Sequence, residues 1–399
     1  MNETTATTTA ARNWIYCGLA IAYFTVLLAF FFLADLTQFI VHAPRGVHIG
    51  IFHIREELMI VGIIAFLAVM VANYKYRMLH WKAVALHTLG FVSLFVGGFL
   101  LVTYIMFTPQ QYDAEFISIA EANKYIKYQD EVMVVDVNGD ARAYPHLWMR
   151  QPHIVGDTIG GEEVVMTYCS LSHSGLAYSP VLDGEELELK VFTQLQNNLI
   201  MYDTKTDQPI QQITGTTEHS NKELEQYPVQ VMSYEAFRDI YPQGKVFYNP
   251  PRGFSDDMTR GMLMTVINWQ HEMFGPVFPT IDVDAPGINK LHPKEQVWGV
   301  KLNGDKVAYT YDYFRANDWV INTNLGGKDI VLVYYPEYRT VGGFERSVNG
   351  DLISITDVKQ IDVFGKTDKG QLKRIPVVSE VFWMVWYTFY PDTELKHHA

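Results

Sequence analysis

Two stretches of this chain, 131–168 and 296–334, repeat one another, and that repetition constrains the fold more than any other feature. The first runs EVMVVDVNGDARAYPHLW and then HIVGDTIGGEEVVMTYCSLSHSG. The second runs QVWGVKLNGDKVAYTYDYF and then WVINTNLGGKDIVLVYYPEYRTV. Asn138, Gly139, Asp140, Ala143 and Tyr144 match Asn303, Gly304, Asp305, Ala308 and Tyr309. Gly160, Gly161, Val165 and Tyr168 match Gly326, Gly327, Val331 and Tyr334. Residues kept in both copies read as scaffold, and residues present in one copy only are candidates for a site. At His153, Cys169 and His173 the second copy has Trp319, Tyr335 and Arg339. Three metal-ligating side chains are thus lost together.

The repeated unit is a β pattern. Asn138-Gly139 lies between two apolar-alternating runs, the strongest short hairpin signal, and it recurs at Asn303-Gly304. Asn349-Gly350 stands where the first copy has Asp183-Gly184. The runs after each Gly-Gly turn, and VFTQLQ, NLIMYD and DLISITDV, read as further strands. Each copy closes on a short helix ending in Tyr-Pro, with Phe237, Tyr241 and Pro242 matching Trp386, Tyr390 and Pro391. The FWMVW run in the second is too short to span a membrane and is expected in the core. Between the copies lies a Pro-, Gly- and Met-rich insert, 249–292, with Met258, Met262, Met264, Met273, His271 and His292; so long a connection points to function, a partner or mobility. The expected fold is therefore a mainly β (α+β) domain of two homologous halves, 111–248 and 293–399, joined by the insert.

Residues 1–110 are of another kind. Apolar stretches at about 13–34, 58–73 and 83–107 are read as three transmembrane helices, the middle one reaching length only by drawing on flanks such as Tyr74 and Tyr76. Arg12 precedes the first, and Lys75, Arg77, His80 and Lys82 crowd the second loop. The positive-inside rule then puts the N-terminus and second loop in the cytoplasm and everything after Phe107 outside. The expected location is the cell membrane, multi-pass, with an extracytoplasmic domain and the lipid bilayer as first partner. A net charge of −13 speaks against nucleic acid. Of two cysteines, Cys17 lies in the first span, which leaves Cys169 as an unpaired thiol in an oxidising compartment.

The soluble part resembles a family of uncharacterised bacterial and archaeal proteins, a domain of unknown function. The resemblance rests on Ala143-Tyr144-Pro145, His153-Ile154-Val155-Gly156-Asp157, Gly160-Gly161, Thr167 through Ser174, Asn198 through Asp203, and Phe382-Trp383 through Glu394. It spans about residues 115–396 and supports the fold unit more than an activity. Many members carry a C-x-x-C pair where this chain has Cys169 and Ser172, with His173 next. A Cys–His metal site survives that change.

Cys169 and His173 follow a strand, four residues apart, and His153 can enter from a neighbouring segment. Two imidazoles and a thiolate match copper, with Met166 or Met149 as a weak axial ligand; zinc accepts the same set plus water. Copper binding or handling, as accessory subunit to a membrane oxidase or monooxygenase, is the leading expectation. The alternatives are a non-catalytic assembly subunit docking a membrane-protein partner through the insert, and a thiol enzyme. The enzyme would use Cys169 as nucleophile, His173 or His153 as base and Asp157 as the orienting carboxylate. His42, His48 and His53 read as a solvated interfacial loop, Met262 and Met264 as core, and His397 and His398 as a polar tail.

Overall fold

The structure, a computed structural model, describes residues 3–33, 44–100, 108–251, 253, 260–261, 265, 267–275, 281 and 283–398. The chain divides into two compact units, Met1–Phe107 and Thr108–Ala399.

In the first unit, helices cover Glu3–Leu33, Arg45–His53, Arg55–Tyr76 and Trp81–Leu100. Spans within them, Arg12–Phe30, Arg55–Tyr76 and Trp81–Gly98, are long and apolar enough to cross a membrane. The middle span takes in both flanks of its apolar stretch and reaches 22 residues, about 33 Å at the α-helical rise. The loop expected around His48 is instead helical over Arg45–His53. His48, Ile49 and Phe52 share one face and are buried, so burial of that face, not solvation, sets its form. His42 lies outside the described residues.

The second unit is built from hairpins. Glu131–Val137 and Asp140–Pro145 pair antiparallel with Val137 opposite Asp140; Gln296–Leu302 and Asp305–Thr310 do the same with Leu302 opposite Asp305. Both turns take positive φ at both central residues, Asn138 and Gly139, Asn303 and Gly304, the geometry that makes Asn-Gly the preferred pair. The side chain of Asn138 donates to the carbonyl of Gly160, and Asn303 donates likewise to Gly326. At Gly160 (φ +58) an added Cβ would lie 2.2 Å from the Val137 oxygen, and at Gly326 (φ +57) 2.2 Å from the Leu302 oxygen.

The sheet orders follow the same plan. Val229–Ser233, Glu131–Val137, Asp140–Pro145 and Lys245–Phe247 lie side by side with the last pair parallel. Val378–Phe382, Gln296–Leu302, Asp305–Thr310 and Glu394–Lys396 repeat that order, again with the last pair parallel. Ile154–Ile159, Glu162–Cys169 and Ser174–Tyr178 form a second sheet, as do Val320–Leu325, Lys328–Tyr335 and Thr340–Glu345. One difference matters below. Where Val229–Ser233 pairs in unbroken register, Val378–Phe382 has two residues, Ser379 and Glu380, opposite the single Trp298. This is a β-bulge, and Glu380 takes φ +58 in it.

The helices Tyr234–Ile240 and Trp383–Phe389 close the two sheets as expected. Trp383, Met384, Val385 and Trp386 are wholly buried, and both indole N–H groups find acceptors, the Ile288 carbonyl and the Thr393 hydroxyl. The run is core, not membrane. The strand expected over 351–358 shortens to Asp351–Leu352. Beyond it the Asn322 side chain binds both the N–H and the C=O of Ile355, replacing a strand neighbour.

Candidate functional site

Among the described residues, one group of three His, Cys, Asp or Glu side chains brings its ligand atoms within 4.8 Å of one another: Glu131, His146 and His173. Backbone register explains the first two. Val132 stands opposite Pro145, so one further step up the ladder sets Glu131 beside His146, the first residue of the short helix His146–Met149. His173 ends the turn joining Glu162–Cys169 to Ser174–Tyr178, at φ +55, which swings it away from the strand it follows. His146 Nδ1 lies 3.3 Å from Glu131 Oε2, and His173 Nε2 lies 3.6 Å from the same oxygen. His146 stacks on Tyr168, ring centroids 4.8 Å apart, and stands edge-on to His173 at 5.1 Å.

The second ring nitrogen of His173 is fixed by the bulge. Nδ1 donates to the Glu380 carbonyl at 3.1 Å; Gln296 Nε2 stands 3.4 Å from Nδ1 but, itself a donor, makes no hydrogen bond to that N–H. A carbonyl only accepts, so Nδ1 carries the proton and Nε2 faces Glu131. A bare Nε2 lone pair against a carboxylate repels; the position calls for a cation, either a proton or a metal ion. The hydrogen bonds from His146 and His173 hold the Glu131 carboxyl well below the usual carboxylate range. Burial lowers His146 despite the adjacent carboxylate. Burial also opposes a charge on His173, but Glu131 and then Glu380 outweigh it, and the net shift is upward. Burial, reinforced by the Glu131 charge, lifts the Glu380 carboxyl to about 7, and its Oε2 is sealed from solvent without a hydrogen-bond partner.

His271, from the insert, completes the surroundings. Its Nε2 donates to the Ser170 carbonyl at 2.6 Å, and its ring lies 5.0 Å from that of His173. Burial lowers it to about 3, so the ring is neutral. Gln270 binds the Leu171 carbonyl, and buried Lys294 reaches the carbonyls of Trp269, Glu272 and Gly275, fastening this part of the insert over the site. A cavity of about 370 Å³ opens onto Glu131, His146, His173 and His271.

Of the ligands expected from the sequence, His173 joins this group and the other three do not. Cys169 is the last strand residue and faces the opposite way, its Sγ 3.6 Å from both Gln194 Oε1 and the Asn197 carbonyl. Burial raises its thiol. His153 is buried, donates Nδ1–H to the Tyr168 carbonyl and is lowered by burial to about 4. Met166 is wholly buried in the core beside Met149. Of the expected Cys169–His173–His153–Met166 set, His173 alone lies in the Glu131–His146–His173 group. Asp157, the carboxylate expected for a thiol triad, is engaged by Arg142 Nε at 2.5 Å. Met258, Met262 and Met264 lie outside the described residues. His397 and His398 are exposed at the end of the chain.

The repeat held the missing signal. Glu131 and His146 align with Gln296 and Tyr311, so all three members of the group are absent from the second copy. A strand-opening Glu and a His after Ala-Tyr-Pro carry no local motif, and neither sits near Cys169 in sequence. His271 has no counterpart in either copy.

The chain belongs to the DUF3179 family, described as a protein of unknown function, whose model matches residues 108–393. No curated protein and no solved structure matches it.

Proposed function

We propose that the chain is a membrane-anchored metal-binding protein whose centre is formed by Glu131, His146 and His173. The observation that carries this reading is the convergence of two imidazole nitrogens on one carboxylate oxygen, at 3.3 and 3.6 Å. Ligands at about 2.0–2.1 Å around a tetrahedral ion stand roughly 3.3 Å apart. The carbonyl behind His173 is the outer contact that fixes a ligating tautomer. Two imidazoles and a carboxylate suit copper(II), which heads the affinity order for such donors, and zinc as the alternative. The thiolate that first favoured copper is not part of the set.

Copper handling as an accessory subunit of a membrane oxidase or monooxygenase is the role we assign, with the domain outside the membrane as the loop charges direct. Matched turns, matched sheet orders and matched Asn-to-Gly bonds support two halves descended from one. The loss of Glu131, His146 and His173 from the second supports a site confined to the first. A second reading, docking of a membrane-protein partner, is favoured by Trp269, Met273 and Phe274 on the insert, which are 51%, 41% and 93% exposed.

The test is elemental analysis of the full-length protein in detergent after exposure to copper and zinc and extensive washing. Near-stoichiometric metal is expected in wild type and Cys169→Ser, and its loss in His146→Ala and Glu131→Gln. Metal-free wild type overturns the reading. Metal lost only in Cys169→Ser restores the thiolate set.

A further inference from the structure

We propose that the cavity over Glu131, His146 and His173 is a binding site for a small monocarboxylate with a flat apolar body, its carboxylate on the bound metal and beside Arg150; this rests on the metal reading above. The cavity of about 370 Å³ is lined by both cationic and apolar side chains. Arg150 and Lys127 line it along with Asp130 and Glu131. Asp130 is occupied locally, since its Oδ2 accepts the Lys127 backbone N–H at 2.9 Å. With a dication at Glu131, the two bases and two acids leave the cavity positive in a chain whose net charge is −13. An anion is therefore attracted here, and a second cation is not.

The rest of the wall decides what the anion carries. Tyr125 and Leu147 are 50% and 49% exposed and line the cavity beside Trp148, whose ring stands 6.4 Å from that of Tyr125. Inorganic oxyanions leave such a wall wet; a planar apolar body covers it. Arg150 closes the short helix His146–Met149, its backbone N–H bound to the His146 carbonyl at 3.2 Å, so the residue sits on the segment that carries His146. Its fork matches a carboxylate in two-point contact.

The test uses full-length protein in detergent, loaded with copper(II), with metal content read in the same sample. Benzoate, benzamide and inorganic phosphate are titrated while the copper electron paramagnetic resonance spectrum is followed. Saturable change with benzoate, none with benzamide, and at least tenfold weaker response to phosphate are expected. Arg150→Met is expected to weaken benzoate at least tenfold at unchanged copper content, and Arg150→Lys, which keeps the charge but not the fork, to recover only part of that loss. Benzoate binding unaffected by Arg150→Met, equal binding of benzamide, or phosphate preferred over benzoate would each overturn the proposal. Copper-free wild type overturns the metal reading and this one with it; full copper without benzoate response overturns this one alone.

Discussion

Replacing Glu380 by Gln tests the environment of the site through a residue that is not among the three proposed ligands. The carboxyl is raised from 4.5 to about 7, by burial first and by the Glu131 charge second. Between those values the folded state holds the proton more tightly than the unfolded chain, so stability falls as pH rises and the full cost is present above about pH 7. A shift of that size corresponds to about 3 kcal/mol as an upper figure, and solvent reaching the rest of this half-buried residue reduces it toward ~2. Gln keeps the volume and the positive φ, so the backbone strain of the bulge is common to both proteins. Thermal unfolding of the full-length protein in detergent, followed by near-UV circular dichroism, is measured from pH 4.5 to 8.5 without added metal. The variant is expected to match wild type near pH 4.5 and to melt about 5 °C higher above pH 7.5. A dication near Glu131 takes over the proton's role, so copper is expected to narrow the gap at high pH. A variant that melts lower at pH 8, or a difference independent of pH, would refute the assignment of a buried, costly charge to Glu380.

Metal affinity is expected to rise with pH through and above 6.5, because the raised His173 must give up a proton while Glu131 is already ionised; a competition titration at pH 6, 7 and 8 reads it, and a flat profile counts against His173 as a ligand. Gly326→Ala places a Cβ 2.2 Å from the Leu302 oxygen at φ +57, and a loss of about 3 kcal/mol or more in denaturant unfolding is expected, with Gly160→Ala behaving alike. Lys294→Met abandons three carbonyls at 2.8 to 3.3 Å and is expected to cost about 3 kcal/mol, with faster hydrogen exchange confined to the segment around 267–275. Uniform exchange across the second unit would mean the lysine is not what fastens that segment.

Much of the fold was legible in the sequence because the repeat carries its turns with it. Asn138-Gly139 and Asn303-Gly304 admit few other geometries, and Trp383 through Trp386, matched to the earlier helix, could be assigned to the core. The 351–358 strand was misjudged because its apolar alternation is real, Ile353 and Ile355 being buried, while its hydrogen bonds go to a side chain. The site was only partly legible. Proximity in sequence favoured Cys169 and His173, but a strand residue and the end of its turn point apart. Register, not spacing, brings Glu131 to His146, and the second copy has Gln296 and Tyr311 in their places. The bulge at Glu380 has no signature at all, since Glu at positive φ is a choice made by the surrounding sheet.

The bond from His173 to the Glu380 carbonyl joins positions 207 residues apart. During synthesis the hairpin that carries His173 leaves the ribosome long before the strand whose carbonyl meets its Nδ1 exists. A stop codon near position 377 would delete the site's outer support while leaving Glu131, His146 and His173 all encoded.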